Sequence, residues 1–287
     1  MKVLITGSNG FLGNALCINL LNRNISVVGI SKTKTTINHS NFTNILADLS
    51  EYDFTKLLPE DIDVIIHAVQ SNHYKDNILG ADDMFKVNIQ STFVLANWAY
   101  KNSISKFIFT SSGSVYSSQN VPIAESELCI PDSFYGASKL SAENILRPYQ
   151  NHYSITSFRI FGLYGPLQKN KLIPNLIERI KKKECIDLAG GQGMIFNPIF
   201  LTDCLSILLQ EVCLKNENRM QIINLAGKEI TDLGKIVQYI SKELHLDLNL
   251  NINNQKPIQL IADIELLLTN YNISDFHNVV EGLEKMI

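Results

Sequence analysis

Along the first 160 residues, short β-rich apolar runs, most of them continuous, alternate with longer stretches in which apolar positions recur every three or four residues. The runs lie at 3–6, 25–30, 44–47, 64–68, 106–111 and 155–160. Continuous rather than alternating hydrophobicity suits strands covered on both faces. Between them, 11–22, 52–58, 83–101 and 135–151 carry helical periodicity. This order predicts an α/β fold, a doubly wound parallel sheet with right-handed crossovers. After Gly165-Pro166 the rhythm changes. A helix is expected at 172–183, a strand at 186–188, a glycine-rich loop at 190–193, a strand at 199–201 and a helix at 203–214. A further strand at 222–225 follows, then a helix N-capped by Thr231 and running to Leu244, and a final helix at 275–286. With no repeat and no low-complexity tether, the second part reads as interleaved with the first. Residues 1–165 plus 196–227 would form a dinucleotide-binding domain, and 166–195 plus 228–287 a smaller substrate-binding lobe.

The first run opens directly into glycines. Lys2 to Gly13 reads KVLITGSNGFLG. Gly7, Gly10 and Gly13 would let the backbone approach a pyrophosphate and let the following helix pack against the strand. The anion would then rest at the helix N-terminus, near Asn9, Gly10, Phe11 and Leu12. In an open α/β sheet, ligands sit beyond the carboxyl ends of the strands. The loops after the other strands should therefore join this site. The second strand ends in Ser31-Lys32, with no acidic residue to bind ribose hydroxyls and repel a 2′-phosphate. A hydroxyl and a cation there favour NADP(H) over NAD(H), the alternative being that Lys32 is a surface lysine. Asp48, followed by Leu49, is placed to reach the adenine amine. Ala68 and Val69 should line the cofactor backbone, with His67 packed rather than chemical.

Composition narrows the partners. The chain has 287 residues, 45% hydrophobic and 18% charged, with a formal net charge of −3. That balance gives no electrostatic reason for nucleic acid or an anionic membrane as partner. No apolar stretch approaches the roughly 20 residues of a membrane span. The apolar start is too short for a signal peptide, so a cytoplasmic protein is expected. The five cysteines show no CxxC spacing and the six histidines no HExxH spacing, so reduced thiols and no metal site are expected.

The fifth run leads into Ser111-Ser112-Gly113-Ser114-Val115-Tyr116, and Tyr135-Gly136-Ala137-Ser138-Lys139 follows. Tyr135 and Lys139, four apart, share one helix face. An ammonium near a phenol favours the phenolate, which would make Tyr135 a proton donor and acceptor near neutral pH. The Ser112 hydroxyl could share the hydrogen bond to a substrate oxygen.

With these motifs in view, the chain resembles an extended short-chain dehydrogenase/reductase of the NAD-dependent epimerase/dehydratase family, which acts on nucleotide sugars. The likeness runs from Gly7–Gly13 through Val87-Asn88, 111–116, 135–139 and the Arg159–Pro166 segment to Asn224–Gly227 and Glu281-Gly282-Leu283. It implies a Rossmann fold, Ser112, Tyr135 and Lys139 as the catalytic triad, and Lys139 on the nicotinamide ribose. Asn88 would support a water-borne proton relay or serve a structural role. Substrate contacts would come from Ser112, Gly113, Ser114, Tyr135, Gly162 and Phe196. The family's dehydratases carry an Asp-Glu pair after the catalytic hydroxyl residue; here those positions are Gly113 and Ser114. Its epimerising reductases carry a cysteine there. What remains is 4-keto reduction of a nucleotide-linked deoxysugar with NADPH, or 4-epimerisation with a tightly held NAD. A cofactor-binding sensor without catalysis is a third reading, opposed by the intact Ser-Tyr-Lys set. Many relatives have Asn at the position of Gly162 and an Arg near Phe196. Their absence leaves room for another small carbonyl substrate. The resemblance also implies a homodimer built on the helices at 83–101 and 135–151.

Overall fold

The structure is a computed structural model and describes residues 1–215 and 219–287. The chain forms two compact units. The first comprises residues 1–116, 128–159 and 208–223; the second comprises 117–127, 160–207 and 224–287. This division differs from the sequence expectation in placing 117–127, 160–165, 196–207 and 224–227 with the second unit.

In the first unit the elements follow the expected alternation. They are β1 (Lys2–Thr6), α1 (Phe11–Leu21), β2 (Ser26–Ser31), β3 (Phe42–Leu46), β4 (Val64–His67), α2 (Ala81–Met84), α3 (Ser91–Lys101), β5 (Lys106–Ser112), α4 (Phe134–Leu146) and β6 (Ser154–Ile160). Among the described residues the main sheet has the order β3-β2-β1-β4-β5-β6-β9, with β9 at Met220–Leu225. The pairs β1–β2, β2–β3, β1–β4 and β4–β5 are parallel and in regular register. The strand order reverses between β1 and β4, the arrangement that opens a crevice at the carboxyl ends of these strands. Leu4, Val28, Ile65 and Phe107 from the strands and Leu95, Ala99, Ala142 and Leu146 from the helices meet in one buried cluster. Between α2 and α3 the helix widens to π geometry over Phe85–Gln90. Such widening carries one residue out of the regular ladder and is frequent at functional sites.

The second unit holds α5 (Leu172–Lys181), β7 (Ile186–Ala189), β8 (Met194–Phe196), the start of α6 (Leu201–Cys213), β10 (Thr231–Asp232), α7 (Leu233–Leu244), β11 (Leu250–Asn253), β12 (Ile258–Leu260), α8 (Glu265–Asn270) and α9 (Val279–Glu284). Its strands form a β10-β8-β12 sheet and a β11-β7 pair. Tyr164, Ile173, Ile177, Phe196, Ile236, Ile240 and Leu283 are among its core residues. Three expectations change here. Residues 199–201 make only a single bridge, Tyr164 to Phe200, and the strand lies earlier at Met194–Phe196. The α7 N-cap is Asp232, whose carboxylate accepts from the Lys235 N–H, rather than Thr231. The final helix begins only at Val279, behind a capping box of Asn278 and Glu281. No helix among the described residues is long and apolar enough to cross a membrane.

Candidate active site

The glycine loop has the geometry its sequence implies. Gly7 sits at φ +69°, a backbone conformation that glycine adopts without strain. A Cβ there would lie 3.1–3.2 Å from the backbone of Ala68 and Val69, which brings the β4 exit against the loop. A Cβ on Gly13 would fall 2.2 Å from the Gly7 carbonyl oxygen. Gly10 caps α1 in extended conformation with no side chain bonded to the first-turn amides. A close backbone turn and an uncapped helix N-terminus are what a dinucleotide pyrophosphate requires, so the residues present fit such a cofactor.

At the exit of β2, the Ser31 hydroxyl donates to the Thr33 carbonyl at 2.8 Å. Asn9 Nδ2 donates to Thr33 Oγ1 at 2.7 Å and to the Lys34 carbonyl at 3.3 Å, tying the glycine loop to this segment. Lys32 Nζ pairs with Asp48 Oδ2 at 3.0 Å. Asp48 Oδ1 also accepts from the Ser50 N–H and hydroxyl. Burial pushes its carboxyl up, but the bonds from Ser50 and Lys32 outweigh that and hold it below the ordinary value. Leu49 points into the core, leaving only its backbone to meet a ligand.

His67, fully buried, ends β4 and is the centre of a polar chain. Thr6 Oγ1 accepts from the Ala68 and Val69 amides, so its own proton goes to His67 Nδ1 at 2.9 Å. The imidazole therefore carries its proton on Nε2 and donates to Thr92 Oγ1 at 3.0 Å, and Thr92 donates to the Asn88 carbonyl at 2.7 Å. Burial, with a contribution from Lys139, lowers the His67 pKa to about 3, so the ring is neutral. It links the glycine loop to the π-helical turn and is structural, as the sequence reading held. Asn88 is held at both ends of its amide: Oδ1 accepts from the Ser71 N–H at 3.0 Å and Nδ2 donates to Ser138 Oγ at 2.9 Å. These bonds support the structural one of the two roles considered for it.

The three residues read as a triad gather at the ends of β5 and α4. Ser133 N-caps α4 through the Gly136 N–H, and Gly136 packs so close that a Cβ would lie 2.0 Å from the Ser114 carbonyl oxygen. This contact sets Tyr135 beside the end of β5. Ser112 Oγ accepts from the Ser114 N–H at 3.1 Å, and Ser112 acts on the Tyr135 phenol in the sense that lowers its pKa. Lys139, buried, donates to the Thr110 carbonyl at 2.9 Å and lies 5.0 Å from the Phe109 ring centroid. One expectation is reversed. Tyr135 is not made acidic by Lys139; burial of its phenol pushes the pKa up to about 12, against the lowering effect of Ser112 and with a small rise from Tyr74. In this geometry Tyr135 is a neutral phenol, a proton donor.

Two residues at this phenol went unread in the sequence. Gln70 Oε1 accepts the Tyr135 hydroxyl at 3.0 Å, and the Tyr74 ring meets the Tyr135 ring edge-on at 5.7 Å. Both follow β4 within seven residues, so the rule that placed Ala68 and Val69 in the crevice reaches them too. In the second unit, Gly162 at φ +53° lies under the Phe196 ring, 2.8 Å from where a Cβ would stand. Phe196 is buried in that unit's core, where its side chain packs over Gly162.

A Rossmann sheet, an uncapped glycine loop and a Ser-Tyr-Lys set at the ends of β5 and α4 define a nicotinamide-dependent oxidoreductase of the short-chain dehydrogenase/reductase type. Residues 3–226 match the NAD dependent epimerase/dehydratase family, and the chain belongs to it. It is similar to dTDP-4-dehydro-6-deoxyglucose reductase of Escherichia coli, 29% identical over 99% of this chain and 96% of the relative. It is also similar to human dTDP-D-glucose 4,6-dehydratase, 28% identical over 85% of this chain and 73% of the relative. Among solved structures, UDP-glucuronic acid 4-epimerase from Bacillus cereus, in complex with UDP-glucuronic acid and NAD, superposes with a TM-score of 0.89. It is 28% identical, over 99% of this chain and 97% of that one.

Proposed function

We propose that this enzyme is an NADPH-dependent 4-keto reductase of a nucleotide-linked deoxysugar. The observation that carries the reading is the exit of β2: a hydroxyl and a cation, Ser31 and Lys32, stand where a carboxylate would select NAD. Two further features support it. Gly113 and Ser114 supply neither the acid nor the base that dehydration across a sugar ring needs, and the likeness to the Escherichia coli reductase extends over nearly the whole chain.

When bound, the nicotinamide cofactor supplies hydride. The chain's own residues do the rest. The amides at the start of α1, beside Gly10 and Phe11, hold the pyrophosphate. Ser112 and the Tyr135 phenol orient the substrate carbonyl, and Tyr135 delivers its proton to the oxygen as negative charge develops there. Lys139, buried one turn beyond Tyr135 on α4, contributes positive charge that stabilises the oxyanion. Tyr135 and Ser112 thus act as donors toward one oxygen, an arrangement suited to reduction.

A second reading, a 4-epimerase holding NAD, is favoured by the Lys32–Asp48 pair, because a cation engaged by a carboxylate is less available to a 2′-phosphate. Calorimetric titration of the purified chain with NADPH and with NADH separates the two. The reductase reading expects at least tenfold tighter binding of NADPH. Tighter binding of NADH, or NAD carried through purification, overturns it in favour of the epimerase. Cytoplasmic placement and a homodimer formed on the helices at 83–101 and 135–151 belong to the same proposal. Size-exclusion chromatography with light scattering tests the dimer.

A further inference from the structure

Two hydrogen bonds at the ends of β5 and α4 have directions fixed by their partners. The Ser114 backbone N–H, which can only donate, bonds Ser112 Oγ at 3.1 Å. Tyr135 donates to Gln70 Oε1 at 3.0 Å, an amide oxygen that can only accept. The phenol hydrogen therefore points toward the β4 loop, while Ser112 acts on the phenol in the sense that lowers its pKa. The loop that presents Gln70 is itself fixed. Ser71 N–H donates to Asn88 Oδ1 at 3.0 Å, the Ser71 hydroxyl bonds the Asp83 carboxylate, and Asn77 Oδ1 accepts from the Phe134 N–H at 3.3 Å, just before Tyr135.

We propose that Gln70 is a positioning residue: its carboxamide oxygen orients the Tyr135 hydroxyl and favours the protonated phenol, setting the chain to give a proton rather than take one. An acceptor bonded to a phenol stabilises the neutral form, whereas a donor stabilises the phenolate. Ser112 and Gln70 thus act on Tyr135 in opposite senses. The other titratable or charged groups around the phenol are Tyr74, edge-on from the same loop as Gln70, and Lys139, one turn further along α4 with its ammonium on the Thr110 carbonyl. Tyr74 raises the phenol's pKa, the direction proposed for Gln70. The inference deepens the reductase reading and rests on Tyr135 being its proton donor.

The test follows the titration of Tyr135 itself, so it needs no identified substrate. The full chain is labelled with 3-fluorotyrosine, whose phenol is more acidic than that of tyrosine, and the Tyr135 line is assigned by its loss in Y135F. In Q70L the fluorine resonance should titrate about one pH unit lower than in the otherwise unchanged chain, the worth of one hydrogen bond to the neutral phenol. In Q70E, which keeps the shape and adds a negative charge, it should titrate higher. An unchanged or raised midpoint in Q70L overturns the proposal. If Q70L does not fold, a midpoint in Q70E at or below that of the parent chain does the same. Retention of turnover by Y135F would overturn the role of Tyr135, a failure distinct from that of Gln70.

Discussion

Replacing Arg159 by methionine should destabilise the first unit more than any change at its surface. Arg159 and Glu143 are 3% and 1% exposed and joined at 2.7 Å between Nη2 and Oε2, with a second bond of 3.1 Å from Nε to Oε1. Ser157 also donates to Glu143, and Arg159 reaches the Tyr116 hydroxyl. Glu143 lies one turn beyond Lys139, so the pair fastens the catalytic helix α4 to β6. Removing only the cation leaves a buried carboxylate without its partner, a loss of about 3–5 kcal/mol. At about 2–3 °C per kcal/mol for a chain of this size, the midpoint of thermal unfolding should fall by roughly 6–15 °C. Replacing both members, as E143L/R159M, removes the stranded charge. It removes the bonds that the Ser157 and Tyr116 hydroxyls make to the pair, about 1 kcal/mol each. The double variant should therefore recover at least half of the loss. Far-ultraviolet circular dichroism during heating, with guanidinium titration at 25 °C, reads both effects. R159M within about 1 kcal/mol of the parent chain, or a double variant as unstable as R159M, would refute the reasoning.

Three further outcomes follow from the geometry. G13A places a Cβ 2.2 Å from the Gly7 oxygen; it should lose measurable cofactor binding by calorimetry while keeping a parent-like circular dichroism spectrum, and binding within threefold of the parent would contradict the glycine-loop argument. His67 has its pKa lowered from 6.5 to about 3 by burial, so below pH 6.5 the unfolded chain takes up a proton that the folded chain resists. Stability supplied by the neutral ring is full above pH 6.5 and is lost progressively toward pH 3, and H67F should flatten the acid side of a plot of thermal midpoint against pH; an equally steep plot would count against it. D48N releases Lys32 from its 3.0 Å ion pair and should raise the preference for NADPH over NADH several-fold in binding titrations, whereas K32A should lower it about tenfold, the worth of one charge-assisted bond.

The first unit was legible in the sequence because most of its strands carry continuous apolar stretches and amphipathic segments lie between them. All six expected strands before residue 161 formed within two residues at either end, with Ser112 at the end of β5 and Tyr135 and Lys139 in the first two turns of α4. The second unit was less legible because its strands are short and half-exposed. β11 reads Leu-Asn-Ile-Asn and β12 only Ile-Gln-Leu, so neither offers a continuous apolar run. Residues 199–201 pair only briefly: the Ile199 N–H donates to the Phe161 carbonyl at 3.3 Å and the Leu201 N–H to the Tyr164 carbonyl at 2.8 Å, and α6 begins at once at Leu201. Asp232 displaced Thr231 as a cap because either residue type can serve and only the backbone decides. The electrostatics of Tyr135 were the least legible part. Spacing puts a lysine one turn from the phenol, but not where its ammonium points, and that ammonium goes to the Thr110 carbonyl. Gln70 has no motif of its own and becomes visible only when the β4 loop is folded back onto α4.

The reductase proposal has Tyr135 deliver a proton to a sugar carbonyl as hydride arrives from NADPH. Absorbance at 340 nm, followed while the enzyme meets a nucleotide-linked 4-keto-6-deoxysugar with NADPH in the parent chain and in Y135F, decides it. The expected result is stoichiometric NADPH consumption by the parent chain, a 4-hydroxy product by nuclear magnetic resonance, and a loss of about a hundredfold or more in Y135F, which still binds cofactor. Parent-like turnover by Y135F, or interconversion of UDP-sugar epimers with bound NAD and no net NADPH consumption, would contradict it.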